Sequence, residues 1–176
     1  MIINSKLSKK LVITGPECSG KTTLGHQLTS SLDGSRRVPE YARIYLSLKS
    51  GRYTYKDLRL IARGQLYLEA ANMVFVPPYL ICDTSLLVIK VWSEVRFGKV
   101  DPWIENEFIS RQYDLFVLCK PDIPWEADNQ RENPFDRWDL YRRYEYTLVS
   151  YKKPYLAVGG SLEKRIALVK DAINLL

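Results

Sequence analysis

The sequence predicts an α/β domain in which a five-stranded parallel sheet carries helices on both faces. Three observations lead there. Five short strand-like runs are spaced along the chain: LVIT (11–14), RRV (36–38), YLIC (79–82), LFVLC (115–119) and YLAV (155–158). Segments of helical pattern lie between them, the alternation that parallel sheets require. The 176 residues, 46% of them apolar, suit one domain over 1–176 with a sizeable core.

Each element has a local reason. LVIT runs into Gly15-Pro16, a strand entering a turn. KTTLGHQLTSSL (21–32) reads as a helix, broken at Asp33-Gly34. RRV is the weakest strand and stops at Pro39; helical pattern resumes from Tyr41 to about Leu48, and Gly51 ends it. Thr54 can cap a longer helix from Tyr55 to about Phe75, before Pro77-Pro78. YLIC is the third strand, and a strongly apolar helix from Ser85 to Phe97 stops at Gly98. Asp101-Pro102 opens a short helix with proline at its first position, ahead of LFVLC. Arg137 to Tyr151 carries Tyr141, Tyr144, Leu148 and Tyr151 at helical spacing. After YLAV, Gly159-Gly160-Ser161 caps a last helix to Leu176. Between Lys120 and Asp136 lie three prolines, several charges and no periodicity, the composition of a lid over about 120–137.

Composition narrows the function classes. No run approaches the roughly 18 apolar residues of a membrane span. MIINSKLSKK has no apolar signal core, and three scattered cysteines (Cys18, Cys82, Cys119) show no metal spacing, so a reduced, cytoplasmic protein is expected. The net charge is +6, yet basic residues never run beyond pairs. That distribution argues for phosphorylated small molecules over nucleic acid. It leaves a homo-oligomer open.

Ligands of such sheets bind at the carboxyl ends of the strands, where Glu40, Asp83, Lys120 and Gly159 fall. The most specific signal lies on the same rim. Gly15, Pro16, Glu17, Cys18, Ser19, Gly20, Lys21 and Thr22 match G-x-x-x-x-G-K-[ST] between a strand and a helix, with Thr23 following. Glycines let such a P-loop wrap its N–H groups around phosphates, and the helix adds its positive end. Lys21 is then expected on the β/γ-phosphates of ATP and the Thr22 hydroxyl on Mg²⁺. Asp83, at the tip of a buried strand, is the candidate second Mg²⁺ residue; a helix cap is its plainer reading. The chain is short for a motor or helicase and has no N-K-x-D for guanine, so a small-molecule kinase fits best. Arg131 and Arg137 would bring mobile cations from the lid to the transition state; solvated loop arginines are the alternative.

The segments GPECSGKTTL, PEYARIYL, IARGQ, CDTSLLVIKVWSEVRFG and YDLFVLCKPDIPWEADNQRENP resemble the ribosylnicotinamide kinase domain of the NadR family, over about Leu11 to Gly160. The resemblance implies ATP-dependent phosphorylation of nicotinamide riboside, at its 5′-hydroxyl, to nicotinamide mononucleotide. It implies an adenylate-kinase-like strand order, 2-3-1-4-5. His26 is the only histidine, so no adenylyltransferase H-x-G-H motif exists and a kinase standing alone is expected. Cys18 stands where the family usually has Ser, and the lid reads DNQRENP where Asp-Gly is usual before the arginine.

In that strand order Glu40 and Asp83 would flank the accepting hydroxyl. Glu40 is assigned to the hydroxyl proton and Asp83 to the metal, with the reverse left open. Arg43 could fix Glu40, touch phosphate or simply pair on the surface. A cationic pyridinium calls for aromatic faces, each worth about 0.5–2 kcal/mol. Tyr41, Tyr55, Trp92 and Trp125 are the candidates, with Gln65 and Lys90 as polar contacts. Trp92 could equally be core. By analogy with similar kinases, Gly159, Gly160 and Arg165 would line the adenine side. Two rivals remain, another nucleoside or deoxynucleoside kinase and a non-catalytic ATP-binding regulatory module.

Overall fold

The computed structural model describes residues 8–126 and 135–176. Its elements follow the expected order: β1 Lys9–Thr14, α1 Lys21–Ser31, β2 Arg36–Val38, α2 Tyr41–Leu48, α3 Tyr55–Met73, β3 Tyr79–Asp83, α4 Leu86–Phe97, α5 Pro102–Ser110, β4 Leu115–Cys119, α6 Arg137–Ser150, β5 Tyr155–Val158 and α7 Leu162–Ile173. All strands are parallel and stand in the order β2-β3-β1-β4-β5. This is the adenylate-kinase-like order expected from the sequence.

Strand alternation divides the core in two. Leu11 and Ile13 of β1, Ile81 of β3 and Val117 of β4 pack against α1 and α7 through Leu24, Leu28, Val169 and Ile173. Val12, Leu80, Cys82, Phe116 and Leu118 face the other way, against α3, α4, α5 and α6. Each such side chain contributes about 1.5–3 kcal/mol by leaving water. Phe116 is fully buried, and Phe116→Ala would cost about 3–5 kcal/mol.

Side-chain caps follow position. Ser85, Asp101 and Ser161 cap α4, α5 and α7 through Leu87, Trp103 and Lys164 N–H groups, and Thr54 with Asp57 forms a capping box on α3. α1 has Gly20 at its cap in the left-handed conformation, and no side chain caps it. The N–H groups at the start of α1 therefore remain available to a ligand.

One buried acid lies away from the rim. Glu69 of α3, 5% exposed, accepts a hydrogen bond from the Tyr113 hydroxyl at 2.9 Å. Burial pushes its pKa up to about 7, against smaller downward pulls from Tyr113, Arg111 and Lys10.

Candidate active site

The loop between β1 and α1 is shaped by backbone conformations that few residues adopt. Gly15 has φ 134°, Cys18 50° and Gly20 79°. A Cβ on Gly15 would stand 2.6 Å from the Cys119 carbonyl oxygen, so only glycine fits. Ser19 Oγ and Lys21 Nζ both donate to the Pro16 carbonyl, at 2.8 and 2.6 Å. These bonds hold the lysine's charge over the loop, while Thr22 and Thr23 are exposed and line the same cleft.

Two arginines hold the loop from outside. Arg165, 3% exposed, donates to the Ser19 carbonyl at 2.7 Å and the Gly160 carbonyl at 3.0 Å, and pairs with Asp122. Asp122 in turn accepts from Gly160 N–H at 2.7 Å. A Cβ on Gly159 would fall 2.6 Å from the Asp122 carboxylate. Gly159, Gly160 and Arg165, expected along the adenine side, thus also form a buttress for the loop. Arg137 donates to the Cys18 carbonyl at 3.1 Å and the Ile123 carbonyl at 2.9 Å. The Cys18 thiol donates to Pro124 O at 3.3 Å and accepts from Glu126 N–H at 3.2 Å. Arg131 lies outside the described residues.

Asp83 ends β3 and is 2% exposed. Its Oδ2 accepts from Arg37 at 3.2 Å, while its buried Oδ1 has no hydrogen-bond partner among the described residues. The next residue, Thr84, is buried at φ 71° and donates its N–H to the Ile13 carbonyl at 3.0 Å. A left-handed threonine costs about 1–3 kcal/mol, and here it turns the chain sharply off the strand behind the carboxylate.

Glu40 stands at the start of α2, between this acid and the loop. Arg43 pairs with it at 3.1 Å. Burial raises the Glu40 pKa above the ordinary 4.5; Asp83 adds to the rise, and Lys21 and Arg43 oppose it. Those partners put Lys21, Glu40 and Asp83 in one electrostatic neighbourhood, although they come from three separate elements: the start of α1, the cap of α2 and the end of β3.

Beyond Glu40 the cleft becomes apolar. Val88, Val91, Trp92 and Val95 present one stripe of α4, and Ala42 and Leu46 of α2 and Leu140 and Tyr144 of α6 complete the wall. Trp92 Nε1 donates to the Tyr53 hydroxyl at 3.0 Å, and the two rings pack at 4.6 Å, tilted by 60°. Tyr144 is buried; its hydroxyl pKa is pushed well up by burial and by the charges of Glu40 and Glu17.

Of the residues expected at the acceptor, the structure brings Glu40, Arg43 and Trp92 to the cleft wall. Asp83 joins them through its charge on Glu40. Five others lie elsewhere. Tyr41 packs on α3 so closely that a Cβ on Gly64 would stand 2.1 Å from its ring. Gln65 is buried and accepts from the Tyr41 N–H at 2.8 Å, fixing the start of α2. Tyr55 lies against Phe97 at 5.6 Å with the Lys99 ammonium over its ring. Lys90 projects from the other side of α4, where it pairs with Glu94 at 2.5 Å and Glu105 at 3.3 Å. Trp125 sits beside the Arg137 guanidinium, 5.7 Å from ring centre to Cζ.

Sequence reasoning missed Tyr53, Tyr144, Arg37 and Asp122. One signal was present for the wall. α4 carries more apolar residues than one core face needs: beyond Leu86, Leu87 and Ile89 in the core, Val88, Trp92 and Val95 at helical spacing form a second apolar stripe.

Among the described residues no three His, Cys, Asp or Glu side chains gather as a metal cage. The buried Asp83 Oδ1, without a partner among the described residues, and the exposed Thr22 hydroxyl are oxygen donors of the kind a hard divalent cation takes, so they fit the Mg²⁺ expected from the sequence. No helix among them is long and apolar enough to cross a membrane.

A family model described as an AAA domain matches residues 10–165. The trifunctional NAD biosynthesis/regulator protein NadR of Escherichia coli is 24% identical over 127 residues, 70% of this chain and 31% of that protein. The NadR protein of Salmonella typhimurium matches to the same extent. The chain thus spans about a third of the length of the curated relatives it matches. Among solved structures, a NadR protein in complex with NR superposes with a TM-score of 0.79 at 19% identity, covering 96% of this chain and 50% of that one. Thymidylate kinase from Candida albicans superposes with a TM-score of 0.70 at 14% identity, covering 96% and 92%.

Proposed function

We propose the following of a chain that belongs to the AAA-domain family: it is an ATP-dependent nucleoside kinase, and its acceptor is nicotinamide riboside, phosphorylated at the 5′-hydroxyl to nicotinamide mononucleotide. The observation that carries the reading is the cleft itself. A phosphate loop lies at one end, an aromatic and apolar wall at the other, and the half-buried Glu40 carboxyl also lines the cleft. The similarity to NadR supports the choice of acceptor.

The chemistry follows from placement. The loop N–H groups and Lys21 hold the β- and γ-phosphates. Thr22 and Asp83 would hold Mg²⁺, which when bound neutralises charge on the transferred group. Glu40 takes the proton of the 5′-hydroxyl as its oxygen bonds to the γ-phosphorus and ADP departs. A raised pKa suits that base, because its conjugate acid lies nearer neutrality. Lys21 and Arg43 oppose the rise and so favour its ionised form. The Tyr53–Trp92 pair offers its ring faces to the pyridinium. Arg137, from its post on the phosphate loop, closes the lid root over the transferring phosphoryl.

The deciding experiment is a coupled assay of ADP release. Turnover should require nicotinamide riboside and be weak with adenosine, thymidine and deoxyadenosine. Preference for a deoxynucleoside would move the reading to another nucleoside kinase. No acceptor-dependent turnover at all would leave an ATP-binding module.

A further inference from the structure

We propose that Arg37 is a positioning residue for the metal site: it pins one oxygen of Asp83 so that the other is presented, unpaired and buried, to the water shell of Mg²⁺. This rests on the reading of Asp83 as a metal-site residue given above. The family resemblance had pointed to Glu40, Tyr41 and Arg43 in this stretch, and not to Arg37.

The placement begins with strand alternation. β2 has only three residues, and Val38 turns into the core between β2 and α3. Arg36, on the same side as Val38, reaches Asn72 Oδ1 at 3.1 Å and lies 3.8 Å over the Phe75 ring of the loop after α3. Arg37 must point to the opposite face. Its Cα partner in the register is Ile81, so Asp83 lies two residues further along β3 on the same face. An arginine on an edge strand is ordinarily solvated. This one is not: its side chain is 21% exposed and ends 3.2 Å from Asp83 Oδ2. Its stem runs past α1 at Gly25, where a Cβ would stand in ordinary contact, 3.7 Å from Arg37 Cδ.

A buried carboxylate with one oxygen bonded and the other bare is costly unless a ligand completes it. Asp83 has that form, with Arg37 on Oδ2 and nothing among the described residues on Oδ1. Two effects of Arg37 on an incoming cation compete. Its charge repels Mg²⁺; its bond fixes the carboxylate in one orientation. The proposal commits to orientation as the larger effect, as outer partners of metal ligands commonly show.

The test measures binding of a non-hydrolysable ATP analogue by calorimetry across a Mg²⁺ titration, for wild type, Arg37→Gln and Arg37→Lys, alongside melting temperatures. The expected result is a half-saturating Mg²⁺ concentration raised about tenfold or more in Arg37→Gln, and raised less in Arg37→Lys. If Arg37→Gln fails to fold, Arg37→Lys keeps the cation without its planar fork and still decides by its midpoint. In an Asp83→Asn background the Arg37 substitutions should move the midpoint no further. A midpoint lowered by Arg37→Gln would make Arg37 a mere counter-ion, and midpoints unchanged in the face of a lower melting temperature would make it a structural strut; either overturns the proposal. A wild type whose analogue binding ignores Mg²⁺ overturns the metal reading first and this inference with it.

Discussion

The two ends of the cleft are made of different material. The proposed phosphate end is main chain: one loop of eight residues whose glycine conformations shape it and whose N–H groups would do the binding, braced by Arg165 and Arg137 through its carbonyls. The acceptor end is side chain, contributed by α2, by Tyr53 before α3, by α4 and by α6. Backbone sites need particular residues at fixed spacing, because at positions such as Gly15 only glycine tolerates both the torsion and the close contact. Side-chain walls need only volume and polarity from whatever the fold brings near. The first kind of site is written locally in a sequence, and the second is not.

Substitutions should follow that division. Lys21→Ala removes the phosphate loop's own lysine and should lower turnover on the order of 10³-fold or more, with the melting temperature little changed. Near-normal turnover would break the phosphate half of the comparison.

Glu40→Gln comes next, lowering turnover by about 10²–10⁴ with ATP affinity kept. Asp83→Asn should instead raise the Mg²⁺ requirement, and a swap of these two outcomes reverses the roles. Glu40 also sets a pH signature. It acts ionised and its pKa is raised, so kcat/KM should fall with acid through a pKa above 4.5. Arg43→Gln removes a cation that opposes the rise, so that limb should move to higher pH.

A control remote from both ends is Glu69. Its folded pKa lies above the ordinary 4.5, at about 7, so the folded state holds a proton that the unfolded chain releases. Its contribution to stability is full below pH 4.5 and is lost as pH rises through 7, about 3 kcal/mol in all. Unfolding curves of Glu69→Gln should be flatter across that window while the kinetic pH profile keeps its shape.

Smaller effects test the acceptor wall. Neutral, reduced nicotinamide riboside should bind a few-fold to about thirtyfold more weakly than the cation. Trp92→Leu should narrow that gap and Trp125→Leu should not, since Trp92 lines the cleft and Trp125 stacks by Arg137. Equal affinity for both acceptors in wild type would end the cation–π account. Smallest of all is Cys18→Ser, expected to be nearly silent: a hydroxyl can meet Pro124 O and Glu126 N–H as the thiol does.

The same division explains what could be read in advance. The phosphate loop and every element were legible, because alternation, glycines and prolines are local; the strand order is what the family resemblance implies. Ends slipped slightly: β1 starts at Lys9, β3 takes in Asp83, and α3 stops at Met73 with Val74 as its cap. Aromatic placement was legible only in part. Tyr53 and Tyr55 are two residues apart, yet only Tyr53 meets Trp92 in the cleft. Arg165 is expected on the adenine side because it follows the fifth strand, and its bond to the Ser19 carbonyl, 146 positions away, was not legible. No spacing rule reports such distant partners.

The order of the strands has a consequence for the newborn chain. β1 carries the phosphate loop and lies at the centre of the sheet, between β3 and β4. It leaves the ribosome before either neighbour, and its second edge is covered only when Leu115–Cys119 arrives. At about 5–20 residues per second that is a wait of roughly 5–20 s with an apolar strand unpaired on at least one side. The most legible part of the molecule is thus the part most exposed to mispairing while the chain is being made. Chaperone dependence in the cell should track the speed of translation between Thr14 and Cys119.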